Sequence, residues 1–453
     1  MTNRKVESRD IYKVNIKLVS PLMVSGEENE NTDADVMTDY DNHPFVPGTS
    51  LAGAFRDYLG LLRTQDSIFG KSGNDSYMSR VFVSDLTFDS ETIIVSRDGV
   101  GLDENKVTVK GAKYDMEAVD AGATGSFYIE VTNRENDSSA SDQIMNILGG
   151  LQNGDIRLGK KKTRGYGQVG ITSFGTKRYT KANYAKEYVT AFTAKDGITM
   201  DGDVDKLIPS ASKKDHLSLT LELQGGISIR QYQAKKNAPD FMHIRSAGKP
   251  VMPGTSISGA IKARARAIAK MVGVSGHISI PQGAAIDPVD ALCQRLFGYV
   301  AQKSAQKSLI EFNESVLTGG KPLNISRTAV SRFESSAAKG NLYTETTCIG
   351  GKVDLDIAID KSISNWAIPF ILPAILDLQK GYLAVGGQTS IGRGIFQGCE
   401  MKLNGETLEQ SAIDSYLKRY VDSVSEGAMF FLSDPEEDCK IVEMEAEDKG
   451  EVV

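Results

Sequence analysis

The chain has 453 residues, which is long for one domain, and its 40% hydrophobic and 25% charged residues are typical of a soluble globular protein. The formal net charge is -7, but residues 434–453 hold nine acids and two lysines, so the remaining body carries 50 acids and 50 bases. No apolar run approaches a membrane span, no apolar signal core opens the chain, and four scattered cysteines form no disulfide framework. These features predict a cytoplasmic protein with a disordered acidic tail.

The first predicted element is a strand at residues 12–18, where apolar and polar residues alternate. An acidic segment follows, because residues 27–41 include seven acids and no base. Such a loop can hold a hydrated Mg²⁺ or place a carboxylate near a phosphate. A mobile polar loop has the same composition, so both interpretations stay open at this point.

A Pro-Gly-Thr-Ser turn comes next and leads into a helix with apolar residues at helical spacing. The turn occurs at residues 47–50 and again at residues 253–256, inside a longer repeated segment. Free N–H groups at a helix N-terminus suit a phosphate, although a single turn of this kind is also an ordinary strand-to-helix connection. The repetition favours a phosphodiester backbone as the ligand, and the residues predicted to bind it are Gly48, Thr49, Ser50, Gly254, Thr255 and Ser256.

The remaining elements also occur twice, which indicates a tandem duplication. After the helix, both copies have a Phe-Gly pair, a strand, a Ser-Arg pair with a polar excursion, another strand, a second helix and a final strand. The order strand, helix, strand, strand, helix, strand is that of a ferredoxin-like domain. The predicted domains are residues 1–171 and 216–433, separated by a linker at 172–215 and followed by the acidic tail at 434–453.

Each copy closes with a glycine loop, in which Gly159, Gly165 and Gly167 match Gly386, Gly392 and Gly394. Glycine lets a backbone approach a ligand closely or adopt positive φ, and basic residues between the glycines can bind phosphates. A plain hairpin could carry one such loop, but the repeated glycines and the charges favour RNA. The predicted phosphate ligands in these loops are Lys160, Lys161, Lys162, Arg164 and Arg393.

The excursions begin at Arg97 and Arg327, and each contains further basic residues interleaved with aromatic ones. This combination suits single-stranded nucleic acid, because phosphates need charge and bases need a surface on which to stack. Solvated loops have a similar composition, so the composition leaves both readings open. Arg97 and Arg327 are predicted to contact RNA.

These motifs, in this order, resemble the RAMP superfamily of CRISPR-associated proteins, and more narrowly the backbone subunits of type III effector complexes. Two modules fused in one chain further resemble the subunits of type III-D complexes. The resemblance implies an α+β fold class, with two tandem ferredoxin-like (RRM-like) RAMP domains and thumb-like β-hairpin insertions. It also implies that the partners are a guide CRISPR RNA, a complementary target RNA and other subunits of the complex, with no membrane partner.

In the same family an aspartate before the Pro-Gly turn promotes cleavage of target RNA with a divalent metal, so the resemblance implies Mg²⁺ (or Mn²⁺). The family pattern places Asp33 on the catalytic position and Asp35 beside it as a metal ligand, where the family has proline. The same register places Ala238 in the second copy, with Asp240 two residues further on as the candidate catalytic acid. Arg56 and Lys262 are expected to replace a family lysine that binds RNA.

The leading hypothesis is therefore a metal-dependent, RNA-guided endoribonuclease subunit that binds guide RNA and cleaves the complementary target. A non-catalytic scaffold that only holds the guide is the first alternative. A guide-processing ribonuclease is the second, and it would need histidine acid–base chemistry, for which the four scattered histidines provide no recognisable motif.

Overall fold

The computed structural model describes residues 5–24, 35–61, 68–70, 77–102, 107–134, 139–184, 197–207, 212–232, 239–274, 287–300 and 305–426. The chain divides into two compact units. Unit one comprises Met1–Lys213, Arg230–Pro253 and Ser326–Glu345, and unit two comprises Lys214–Ile229, Gly254–Ile325 and Thr346–Val453. Unit one therefore combines the first copy of the duplication with two segments of the second.

The first copy has the element order of a ferredoxin-like domain. Its helices are α1 (Gly48–Leu61) and α2 (Ser139–Gln152), and its strands are β1 (Val6–Leu18), β2 (Phe45–Val46), β3 (Val81–Val83), β4 (Leu86–Phe88), β5 (Ile94–Leu102), β6 (Thr108–Val119), β7 (Thr124–Arg134) and β8 (Val169–Thr180). The sheet order is β2-β4-β7-β1-β8 with antiparallel pairs, and β3 also pairs with β7. Strands β5 and β6 form a separate antiparallel hairpin.

Alternation of apolar residues along β1 determines which face of this sheet is buried. Tyr12, Val14, Ile16 and Leu18 all point into one core, which also receives the apolar residues of both helices, such as Phe55. A smaller apolar cluster joins Ile11 to Tyr179 on β8 and to Ile198. The segment around residue 198 therefore covers part of the opposite face, which explains why β1 also buries an outward-facing position.

The second copy repeats the order with additional short strands. Its helices are α3 (Gly254–Met271), α4 (Pro288–Phe297), α5 (Ser364–Gln379) and α6 (Gln410–Glu426). Its strands are β9 (Lys214–Gln224), β10 (Gly226–Ile227), β11 (Arg230–Tyr232), β12 (Phe241–His243), β13 (Arg245–Ser246), β14 (Lys249–Met252), β15 (Tyr299–Val300), β16 (Ala305–Gln306), β17 (Ile310–Phe312), β18 (Ser315–Val316), β19 (Lys321–Val330), β20 (Ala337–Ile349), β21 (Lys352–Asp360), β22 (Ile395–Leu403) and β23 (Glu406–Thr407).

The main sheet of the second copy has the order β17-β21-β9-β22-β23. Strands β17, β21, β9 and β22 occupy the same relative positions as β3, β7, β1 and β8, so the predicted tandem ferredoxin-like fold is confirmed. Hairpins β5–β6 and β19–β20 are the two insertions between the second and third core strands. None of the described helices is long and apolar enough to cross a membrane.

The structure differs from the predicted boundaries of the linker. Strand β8 continues to Thr180, so the predicted boundary after residue 171 falls inside a strand of the main sheet. Further along the linker, the N–H of Gly202 donates to the carbonyl of Phe174 at 2.9 Å, which fastens this part onto the first copy. Much of the predicted linker therefore belongs to a folded unit, while the predicted tail at 434–453 lies outside the described residues.

Candidate RNA interface

The closing loop of the first copy folds back tightly on its own start. Gly159, Gly165 and Gly167 have φ values of 74°, 90° and 77°. The N–H of Leu158 donates to the carbonyl of Gly167 at 2.9 Å, and a Cβ on Gly167 would lie 1.9 Å from the oxygen of Leu158. Only glycine fits at this position, because any side chain would overlap a backbone atom.

The closing loop of the second copy has the same backbone. Gln388, with φ of 60°, precedes a 3-10 turn at Thr389–Ile391, as Lys161, with φ of 56°, precedes the turn at Lys162–Arg164. A Cβ on Gly394 would again lie 1.9 Å from a carbonyl oxygen, that of Val385. When a residue in the right-handed conformation is next to one in the left-handed conformation, their backbone N–H groups point into one concavity. Such concavities commonly bind anions.

The two loops differ in charge, since the positions of Lys161 to Arg164 are uncharged in the second copy. Lys160 and Arg164 are exposed, and Lys162 is half-buried. Lys161 is different, because its Nζ lies 4.1 Å from the centre of the Tyr114 ring and 3.1 Å from Met116 Sδ. Burial, together with the positive charge of Arg164, lowers the pKa of Lys161 to about 8. Lys161 therefore joins the loop to hairpin β5–β6.

Arg393 also joins its loop to a neighbouring strand. Its Nη1 donates to Thr347 Oγ1 at 2.8 Å, and Thr347 in turn donates to the carbonyl of Ile227 at 2.7 Å. The side chain is half-buried. These bonds give Arg393 a positioning role in the loop, in addition to the phosphate contact predicted from the sequence.

The turn at the start of α1 does not present all of the predicted groups. The N–H of Gly48 donates to Asp85 Oδ1 at 2.7 Å, and a Cβ on Gly48 would lie 2.3 Å from the oxygen of Val83. A carboxylate thus occupies the place at which the sequence predicted a phosphate, and Gly48 is corrected to a packing residue. Thr49 and Ser50 remain exposed beside it.

In the second copy, Gly254 is also buried, and Thr255 and Ser256 are half-buried. Of the two helix cations, Arg56 on α1 is exposed. The Nζ of Lys262 on α3 lies 5.7 Å from the centre of the Phe297 ring. Lys262 is therefore partly held against α4.

Arg97 is placed differently from the sequence prediction. Its side chain is among the largest that are fully buried, with 1% exposure, and its Nη2 donates to Ser246 Oγ at 2.5 Å and to the carbonyl of Arg245 at 3.3 Å. A buried guanidinium with these bonds does not reach a phosphate. Arg97 is corrected to a structural residue that fixes hairpin β5–β6 to strand β13 within unit one.

Arg327, the matching residue of the second copy, keeps 27% of its side chain exposed and forms an ion pair with Glu345 at 3.4 Å. Hairpin β19–β20 ends in a turn, and Phe333 in this turn is fully exposed. An exposed aromatic ring at the end of a hairpin is the arrangement expected of a wedge that enters stacked bases.

Strand pairing just before the Pro-Gly turn suggests a different counterpart of Asp33 in the second copy from the one that the sequence pattern predicted. Thr38 pairs with Pro44 in the first copy, and Arg245 pairs with Pro250 in the second. The loop between the paired residues is one residue shorter in the second copy. Counted back along the sequence from Thr38 and Arg245, Asp33 falls opposite Asp240, whereas the sequence pattern placed it opposite Ala238.

Asp240 is exposed and is held by hairpin β19–β20. The N–H of Thr344 donates to Asp240 Oδ2 at 2.7 Å, and Thr344 Oγ1 lies 3.3 Å from the same oxygen. Asp33 and Ala238 lie outside the described residues, and Asp35 is half-buried. In the part of the chain that the structure describes, no group of three or more His, Cys, Asp or Glu side chains could hold a metal ion.

Three residues with a part in this region, Asp85, Arg230 and Glu345, were not predicted from the sequence, because they share no recognisable spacing with the motifs. Each acts through a contact between residues far apart in the chain. A signal existed only for Asp85, an acid that follows β3 at the position that strand pairing matches to Glu314, also an acid, in the second copy.

The RAMP superfamily matches the chain over residues 15–170 and 240–397, which together make up more than half of its length. One matched region lies in each copy, and both include the closing loop of their copy. No curated protein matches the chain.

The glycine contacts generate a stability prediction. Gly392 has φ of 81° and open space where a Cβ would lie, whereas Gly394 has φ of 72° and a carbonyl oxygen 1.9 Å from that point. Gly392→Ala should cost about 1–2 kcal/mol from left-handed strain alone, and Gly394→Ala should cost clearly more because the backbone must also move. Urea unfolding of both variants measures the difference, and equal losses would contradict the close approach.

Lys161 generates a pH prediction. Its pKa is about 8 in the folded chain and near 10.5 when unfolded, so the unfolded chain binds more protons between these values. Stability contributed through Lys161 should therefore rise as pH increases from about 8 to 10.5. Lys161→Gln, which introduces the residue of the second copy, should abolish this rise in unfolding experiments. Lys160→Gln, at the exposed neighbour, is the control and should leave the rise in place.

Proposed function

The chain belongs to the RAMP superfamily, whose members are CRISPR-associated RNA-binding proteins, and we propose that it is a guide-RNA-binding backbone subunit of a type III effector complex that cleaves complementary target RNA. Its partners would be the guide, the target and other subunits of that complex. In this proposal, guide pairing supplies sequence specificity and the protein contacts the RNA backbone, the division of labour known for RNA-guided recognition.

The observation that carries the proposal is the repeated closing loop. Two loops with one backbone each have left-handed residues on both sides of a 3-10 turn, and they would provide two similar anion-binding concavities in one chain. Exposed Lys160 and Arg164 add charge beside the first. A repeated site of this kind fits a ligand that itself repeats, as a phosphodiester chain does.

For cleavage we propose that a 2′-hydroxyl of a distorted target nucleotide attacks the adjacent phosphate, which forms a 2′,3′-cyclic phosphate as the bond from phosphorus to the 5′-oxygen breaks and that oxygen takes a proton from water. Asp33 and Asp240 would each accept the proton of that hydroxyl at one cut, since they occupy matching positions in the two copies. The hairpins would hold the nucleotide out of the helix and align the hydroxyl with the leaving oxygen. Asp240 Oδ2 receives bonds from Thr344, which would orient the carboxylate.

A divalent ion, Mg²⁺ or Mn²⁺, would neutralise charge at the scissile phosphate, as such ions do when bound by phosphate and one or two carboxylates. The described residues alone do not form a group of ligands that could hold an ion, so phosphate oxygens of the RNA would have to complete the site. Asp35, next to the part of the acidic segment that lies outside the described residues, stays a proposed ligand together with Asp33.

A non-catalytic scaffold is the second candidate, and the bonds of Asp240 favour it, because a carboxylate that accepts from Thr344 twice can also serve only to fix the hairpin. The guide-processing alternative is weaker, since His243 is buried and its pKa is lowered to about 4 by burial. His243 Nε2 lies 3.0 Å from the carbonyl of Val251, so this histidine serves the structure.

Removing the charges of the first loop should weaken binding to all guide sequences alike. Replacing Lys160, Lys162 and Arg164 with glutamine should reduce the slope of log affinity against log salt by about 0.7 for each phosphate that the variant no longer binds. The charge-matched control is glutamine at the exposed Lys361, Lys380 and Lys418. A sequence-selective loss with an unchanged slope would contradict phosphate binding by this loop.

Each aspartate should control one cut. In the reconstituted complex with end-labelled complementary RNA, Asp33→Ala and Asp240→Ala should each remove a different product without weakening guide binding, and EDTA should remove both. Thr344→Val should reduce only the product that depends on Asp240. If both alanine variants and EDTA leave every product in place, the chain is a scaffold.

A further inference from the structure

A buried carboxylate holds two arginines together in unit one. The side chain of Glu345 is 0% exposed and lies 2.9 Å from Arg230 Nη2 and 3.4 Å from Arg327 Nη2. A buried charge is tolerated only when it is paired, and here two positive groups face one negative group. The three side chains therefore carry one net positive charge at this place.

Both arginine side chains remain partly accessible. The side chains of Arg230 and Arg327 are 34% and 27% exposed, and each guanidinium has five N–H donors in a rigid fork. Glu345 has two oxygens and cannot accept from all of these donors. The carboxylate thus orients two forks whose remaining donors can bind an anion, and paired arginines suit the geometry of phosphate.

Aromatic rings lie beside Arg230 on the same strand pair. The guanidinium carbon of Arg230 is 4.9 Å from the centre of the Phe241 ring, and the rings of Phe241 and Tyr232 meet edge to face at 6.2 Å. Tyr232 pairs directly with Phe241 across β11 and β12 and is 58% exposed. An exposed ring next to a phosphate-binding group can stack on an RNA base.

Strand β11, which carries Arg230 and Tyr232, is fixed by hairpin β5–β6. Gln231 Nε2 donates to the carbonyl of Ser96 at 2.5 Å, and the N–H of Tyr232 donates to Asp98 Oδ2 at 3.0 Å. These bonds preorganise the backbone beneath both side chains. Less ordering is then needed when a ligand binds.

The first copy lacks this arrangement. Its matching arginine, Arg97, is buried, and its cross-strand neighbour is Met116 instead of an acid. The cluster of Arg230, Tyr232, Phe241, Arg327 and Glu345 is therefore a property of the second copy, and duplication alone does not account for it.

We propose that this cluster binds one nucleotide of single-stranded RNA, with Arg230 and Arg327 on a phosphate and Tyr232 stacked on the adjoining base. The inference rests on the proposed RNA-binding function and assigns it a second, separate site. Glu345 acts as a positioning residue, since it reaches the ligand only through the arginines.

The test measures binding of the full chain to fluorescein-labelled oligouridine as a function of salt. Tyr232→Ala should weaken binding about tenfold with the salt slope unchanged, and Tyr232→Phe should restore it, because stacking needs only the ring. Arg230→Ala should reduce the slope by about 0.7. If that variant does not fold, Arg327→Ala serves instead, and Tyr382→Ala, at an exposed tyrosine of unit two, is the aromatic control.

Arg9 provides the matched arginine control. It pairs with Glu130 at 2.8 Å, its side chain is 36% exposed, and it lies 5.7 Å from the centre of the Tyr184 ring. Arg9→Ala removes an arginine with the same kinds of partner and should leave RNA affinity unchanged. If Arg9→Ala and Arg230→Ala weaken binding equally, the effect is one of net charge and the site is refuted.

The outcomes distinguish a failure of this site from a failure of the proposed function. If the wild-type chain binds RNA, and the first-loop glutamine variant weakens it while Tyr232→Ala and Arg230→Ala do not, the cluster is only a structural ion pair and the inference fails alone. If the wild-type chain binds no RNA in the presence or absence of a guide, the proposed function itself fails.

Discussion

The approach of one glycine to a carbonyl oxygen shapes each of the two loops on which RNA binding is proposed. At Gly167 and Gly394 the backbone passes so close to Leu158 and Val385 that a Cβ would lie 1.9 Å from oxygen. This approach closes the loop, and closure places a left-handed residue and a 3-10 turn at its outer end. The proposed anion-binding conformation of the loop thus depends on a glycine several residues away. The same constraint acts in both copies, and hence the two loops share a backbone while their side chains differ.

The copies use this shared framework in different ways. The first loop concentrates charge, and one of its lysines is drawn onto Tyr114, where burial lowers its pKa to about 8. The second loop is neutral except for Arg393, but its copy places Arg230 and Arg327 around a buried carboxylate. Backbone geometry in these loops depends on glycine, so a duplicated fold can keep the same backbone site in both copies. Charge depends on surface side chains that exchange freely, so the charged residues can lie at different places in the two copies. Binding by the whole chain would then combine two dissimilar sites along one RNA strand.

Most of the fold could be predicted from the sequence, because duplication shows the order of elements twice and alternation along β1 identifies its buried face. The matched glycines also predicted the loop conformation, as positive φ is a local property. Contacts between distant residues could not be predicted. Nothing in the spacing indicated that Asp85 would take the first amide of α1, or that Arg97 would be buried against Ser246. Both errors arose from treating a polar group near a motif as free, whereas tertiary packing had already given it a partner.

The comparison of Asp33 with Asp240 shows how a local irregularity affects a functional assignment. Alignment of the two copies by sequence pattern places Ala238 opposite Asp33, which would leave the second copy without a proton acceptor. Strand pairing gives a different register, because counting back from the paired residues Thr38 and Arg245 moves the match to Asp240. The bonds of Asp240 to Thr344 then connect it to the hairpin proposed to distort the target. In the proposed function, a carboxylate fastened to that hairpin would be positioned by the same element that would expose the nucleotide, and this would couple distortion of the RNA to its cleavage.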